Sequence, residues 1–144
     1  MGKIETKLLL AYVNTYRPIT NFDKELHRDF FSFNILIQDE SGSQLDMEFE
    51  LVNDHKGKVI FEDEPFCHEL EMLMLKLIAE NKLAFVEAGS IDITQEGYEE
   101  LVKLRRTVEA SIPSVRYMLT RIRDQKYQEL YRKTIEKMKE QQRV

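Results

Sequence analysis

Apolar residues recur along the chain first at helical and then at alternating intervals, and the changes of period divide it into elements. Ile4, Leu8, Ala11 and Tyr12 fall at i, i+4, i+7 and i+8, so residues 3–16 are expected to form a helix that Pro18 ends. A second helix is expected from a cap at Asn21 to about Phe33, with Phe22, Leu26, Phe30 and Phe33 on one side. Residues 33–37 are a short apolar run that fits helix or strand, and Gln38–Gln44 reads as a loop by composition. Leu45, Met47, Phe49 and Leu51 then alternate with Asp46, Glu48 and Glu50, the clearest strand signal in the chain, its outer face a row of carboxylates. Asn53–Gly57 supplies a turn, and Lys58–Phe61 the returning strand.

Glu62-Asp63-Glu64-Pro65 has the acids and the proline of a helix start, and the helix is expected to run to about Asn81. A short hairpin follows, Leu83–Glu87 turning at Ala88-Gly89-Ser90 into Ile91–Ile93. Thr94 caps a further helix in which Tyr98, Leu101, Val102 and Val108 share a face. Ile112-Pro113-Ser114 breaks the chain before a last helical segment reaching toward residue 140. That segment changes phase: Val115, Met118, Leu119 and Ile122 form one stripe, whereas Tyr127, Leu130, Tyr131, Ile135 and Met138 centre a quarter to a third of a turn away. Either the helix breaks near Asp124-Gln125-Lys126, or its second half packs on another chain. The second arrangement is favoured, which makes Tyr127, Leu130, Tyr131, Ile135 and Met138 the candidate oligomerisation residues of a homodimer.

The pattern implies an α+β chain, one domain over residues 1–110 with a C-terminal helical extension over 111–144. Charge sharpens that division. Residues 1–108 hold 12 Lys and Arg against 21 Asp and Glu, a net of −9, and residues 109–144 hold 9 against 5, a net of +4. An acidic body and a basic tail suit a basic partner or head-to-tail association. Cys67 is the only cysteine, so no internal disulfide can form, and a cytoplasmic location is expected. No apolar run approaches the length of a membrane span, and Met1–Glu5 lacks the order of a signal peptide.

Helix, tight hairpin and then Ile93-Thr94-Gln95-Glu96-Gly97-Tyr98-Glu99-Glu100-Leu101 resembles the wing and following helix of winged-helix domains, over residues 65–104. The resemblance implies a winged-helix-like domain with a small antiparallel sheet, and it puts residues 66–81 in the place of a DNA-recognition helix. The charges oppose that use. Asp63, Glu64, His68, Glu69 and Glu71 occupy the turns that would meet bases, only Lys76 follows, and Val86–Asp92 carries no basic residue, whereas phosphate contact needs Lys or Arg.

Met72, Leu75 and Ala79 lie together opposite the helix's core face of Phe66, Leu70, Leu73, Met74, Leu77 and Ile78. With Glu69 and Lys76 they form a candidate partner-binding strip, unless residues 21–61 cover it. His27, His55 and Cys67-His68 lack metal-ligand spacing, and neither a Gly-rich phosphate loop nor a nucleophile elbow occurs, so no metal, cofactor or catalytic residue is expected. The function read from these patterns is a non-enzymatic interaction module, an adaptor or regulatory subunit acting on a protein partner. The alternative is a dimeric DNA-binding regulator that draws its basic surface from the tails.

Overall fold

A computed structural model describes residues 2–16, 19, 22–56, 59–87, 89–107 and 112–142, with residues 22–24, 53–56 and 59–62 described by backbone alone. They form an α+β fold of α1 (Lys3–Tyr16), α2 (Phe22–Ser41), β1 (Glu50–Lys56), β2 (Val59–Phe66), α3 (His68–Ala79), β3 (Leu83–Phe85), β4 (Ile91–Ile93), α4 (Gln95–Thr107), α5 (Val115–Arg121) and α6 (Gln125–Gln142). β1–β2 and β3–β4 are separate antiparallel hairpins, and Ile19, between α1 and α2, bridges to Ile91 of β4. Pro18 and Asn21, the expected stop and cap, lie outside the described residues.

α2 runs through the ambiguous residues 33–37 and on to Ser41, so Gln38–Ser41 are helix rather than loop. Burial explains the extension. Leu36 and Ile37 are as enclosed as Phe30 and Phe33, which carries the packed face a further turn. Tyr12 of α1 meets Phe30 and Phe33 edge-on at centroid distances of 5.7 and 6.2 Å, and this ring cluster clamps α1 on α2.

The segment expected as the clearest strand is a strand only from Glu50 onward. Residues 43–49 carry no regular structure and bend at Asp46, with Leu45 and Met47 buried and Asp46 and Glu48 exposed, and they pair with no strand among the described residues. Side chains from three helices take their backbone donors instead. Leu45 N–H donates to Asn34 Oδ1 of α2 at 3.1 Å, Asp46 N–H to Glu5 Oε1 of α1 at 2.8 Å, and Glu48 N–H to Glu69 Oε1 of α3 at 3.2 Å. Glu5 is itself buried, and its carboxylate is compensated by that amide.

The turn expected at Asn53–Gly57 is displaced, since β1 continues through Lys56. Glu62–Pro65 do not begin a helix but continue β2, with a bulge that leaves Asp63 at φ 56° and sets Pro65 opposite Leu51. Two contacts from α2 hold this stretch extended: Arg28 Nη2 donates to Glu64 Oε1 at 2.7 Å, and the His27 ring stacks on Phe66 at 4.7 Å. The helix starts only after Cys67, whose N–H donates to His27 Nδ1 at 3.0 Å.

α5 and α6 share the core rather than extend from it, since Val115, Met118 and Tyr127 belong to the same buried cluster as Leu8 and Phe30. Between the two helices, residues 122–124 form a turn, so of the two arrangements offered by the phase change the structure takes the break.

The ends of α3, the β3–β4 hairpin and α4 are stitched together. Asn81 at φ 60° closes α3, with Asn81 N–H donating to Ile78 O at 3.0 Å and Lys82 N–H to Leu77 O at 2.8 Å, a Schellman stop. Thr94 caps α4 as expected, accepting from Gly97 N–H at 3.0 Å, while its hydroxyl donates to Asn81 O at 2.5 Å. Gly97 is required by proximity: a Cβ there would sit 2.0 Å from Lys82 O and 2.9 Å from Ile93 Cγ1. Gly97→Ala is therefore expected to lower stability by about 1–3 kcal/mol in urea denaturation. Helix propensity alone gives the opposite sign, a gain of about 1 kcal/mol.

Candidate functional site

α3 buries Leu70, Leu73, Met74 and Leu77 and turns its other side outward. On that side Met72 is 56% and Leu75 59% exposed, with Lys76 and Ala79 exposed beside them, so residues 21–61 do not cover the strip among the described residues. Met72, Leu75, Lys76 and Ala79 thus share one open face. Glu69, expected to join them, is half-buried and turned to internal work. Its carboxylate accepts from its own N–H at the helix start and from Glu48 N–H, and these bonds hold it below the usual carboxylate range.

The β3–β4 hairpin adds two apolar side chains that the sequence reading treated only as strand. Phe85 is 61% and Val86 51% exposed, while Leu83 and Ile91 are buried. A two-stranded hairpin has one face to bury, and two consecutive apolar residues at its end cannot both reach it. Glu80 and Glu87 are exposed near these residues in sequence, Glu71 is half-buried and accepts from His27, and Lys82 lies within 3.4 Å of Glu80 and 3.9 Å of Glu100.

The candidate oligomerisation stripe points inward. Tyr127 is 3% exposed, and Leu130, Tyr131, Ile135 and Met138 are half-buried against α2 and its neighbours. Tyr131 meets Phe31 of α2 edge-on at 5.4 Å. Ionic ties reinforce the seating, Lys139 Nζ to Asp63 at 2.9 Å and Arg121 Nε to Glu40 at 3.3 Å. Leu130, Tyr131, Ile135 and Met138 keep part of their surface exposed and line clefts beside α6.

One buried cluster has the residue types of a catalytic site without its geometry. His27 is 2% exposed; its Nδ1 accepts the Cys67 amide, so the ring proton lies on Nε2, which donates to Glu71 Oε1 at 2.7 Å. Both nitrogens are occupied, and neither is bonded to the thiol. Burial pushes the Cys67 thiol up to about 12, which leaves it protonated and unreactive near neutrality. The cluster fixes the start of α3 against α2. Among the described residues no group of three or more His, Cys, Asp or Glu could hold a metal ion, and no helix is long and apolar enough to cross a membrane.

No protein-family model matches the chain, and neither a curated protein nor a solved structure matches it.

Around α2 the tyrosines are held protonated by burial. Tyr12 donates to Asp29 Oδ2 at 2.6 Å, and Tyr12, Tyr127 and Tyr131 are all held above the ordinary tyrosine value of 10.0, in each case first by burial. The folded state keeps these protons while the unfolded chain releases them, so the stability they contribute is complete below pH 10.0 and lost as pH rises beyond it. Alkaline titration is expected to show cooperative unfolding, with tyrosinate absorbance appearing together with loss of helical circular dichroism. Tyr127→Phe and Tyr131→Phe are each expected to shift that transition to higher pH.

Proposed function

We propose that the chain is a non-enzymatic, winged-helix-like interaction module, an adaptor or regulatory subunit working in the cytoplasm. The outer face of α3 and the β3–β4 hairpin dock a partner protein segment that is apolar along one side and basic along the other. The observation that carries this reading is the exposure of Met72 and Leu75 at 56% and 59% on one face of α3, with Glu80 and Glu87 exposed nearby in sequence. Exposed apolar side chains grouped on one face mark a protein contact more often than a solvated surface. Support for the winged-helix-like reading is the order α3, β3–β4, α4 with Thr94 and Gly97 at the junction, where the resemblance placed them.

The same face is poorly made for nucleic acid. Residues 68–93 hold Lys76 and Lys82 against Glu69, Glu71, Glu80, Glu87 and Asp92, and Lys82 is drawn toward acids. Duplex binding rests on neutralising phosphates, and this balance repels them.

A photoreactive phenylalanine analogue at position 75 of the full chain, with one at Lys137 as control, tests the reading in the native cell. One discrete protein adduct from position 75 alone is expected. Met72→Glu, or Glu80→Lys with Glu87→Lys, should each reduce it about tenfold or more, while melting stays near that of the parent because these residues are exposed. A surface that yields equal adducts from both positions, or a chain that binds duplex DNA with steep salt dependence lost on Lys76→Glu, overturns it.

A further inference from the structure

Between α1, α4 and the start of α5 lies a cleft of about 760 Å³, within the range of small-molecule sites. Lys7 of α1, Arg105 of α4 and Arg116 of α5 line it, and no acidic residue does among the described residues. None of the three cations forms an ion pair with a described residue, whereas Arg28, Lys82, Arg121, Lys126 and Lys139 all do. Lys7 and Arg105 come from residues 1–108, which carry a net of −9, and Arg116 from the basic residues 109–144, so the cleft gathers positive charge on a chain of net charge −5. An anion repelled by the surrounding surface is concentrated there.

The rest of the lining narrows the ligand. Leu8, Ile112 and Val115, at 2%, 7% and 4% exposure, make an apolar floor. Tyr98 presents a ring that is 42% exposed, and Asn14 adds an amide. Three separate cations suit a multiply charged group with several oxygens, and the floor and ring suit a flat apolar body. We propose that this cleft binds a phosphorylated small molecule with a planar ring, of the nucleotide class, with Lys7, Arg105 and Arg116 holding the phosphates and Tyr98 contacting the ring. The proposal is independent of the docking face on α3.

Calorimetric titration of the full chain at low salt with ADP, flavin mononucleotide, pyrophosphate, adenosine and a single-stranded oligonucleotide tests it. At least one of the two nucleotides is expected to bind with a dissociation constant below about 1 mM, pyrophosphate more weakly, and adenosine not measurably. Arg105→Glu and Arg116→Glu should each weaken the bound nucleotide at least tenfold at an unchanged melting temperature, both side chains being exposed. Tyr98→Ala should weaken the nucleotide but leave pyrophosphate unaffected, separating ring contact from phosphate contact. Failure of both nucleotides to bind, affinity indifferent to the charge reversals, or a preference for the oligonucleotide over either nucleotide overturns the assignment.

Discussion

α2 is enclosed on nearly every side, with Leu26, His27, Phe30, Phe31, Ser32, Phe33, Leu36 and Ile37 all buried, and the remaining architecture follows from that enclosure. A helix enclosed around most of its circumference sits at the centre of its domain. Its buried polar side chains must find partners within the protein, and its partly exposed ones, Arg28 at 44% among them, reach neighbouring elements as well. They do so one element at a time: His27 binds the start of α3, Arg28 binds β2, Asp29 accepts from α1, Asn34 holds the segment before β1, and Glu40 ties down α5. Each tie that compensates a buried polar group also fixes where a neighbouring element begins. The start of α3, and with it the proposed docking face, is held by a histidine ring on α2.

The helices whose burial is one-sided were legible from sequence, because a stripe at helical spacing carries the same information as the packed face. α1 and α4 fall within a few residues of expectation, α3 ends close to where it was expected, and Thr94 caps α4 as its place before the helix implied. The failures share a cause. Alternation over Leu45–Leu51 reported correctly that the chain turns every second residue inward, but it could not report that Asn34, Glu5 and Glu69 would replace a neighbouring strand. The acids and proline of Glu62–Pro65 are helix-start signals locally, and contacts with Arg28 and Phe66's stacking on His27 override them. The stripe on α6 and a break before it were both readable from the phase change, but the surface that covers the stripe is distant in sequence, so the choice between the two arrangements was not.

The proposed docking face was half legible. Rotation around α3 places Met72, Leu75 and Ala79 opposite the core, which spacing alone reveals, whereas their exposure depends on where other segments lie. Phe85 and Val86 carried a usable signal, two apolar residues in a hairpin with one face to bury. Lys7, Arg105 and Arg116 carried none, because the cleft that unites them exists only once α1, α4 and α5 are packed.

α4 joins the two surfaces mechanically. Its first turn is pinned to the end of α3 by Thr94, Asn81 and the approach of Gly97 to Lys82 O, and its last turn supplies Arg105 to the cleft. At 13 residues it spans about 20 Å. A ligand shifts a distant surface only by favouring one of two arrangements that the intervening element can adopt. With Gly97 already closer to the Lys82 carbonyl than any side chain would allow, the first turn of α4 cannot approach that carbonyl further. For an occupied cleft to influence the proposed docking face, α4 would have to take up a second arrangement that keeps this junction intact.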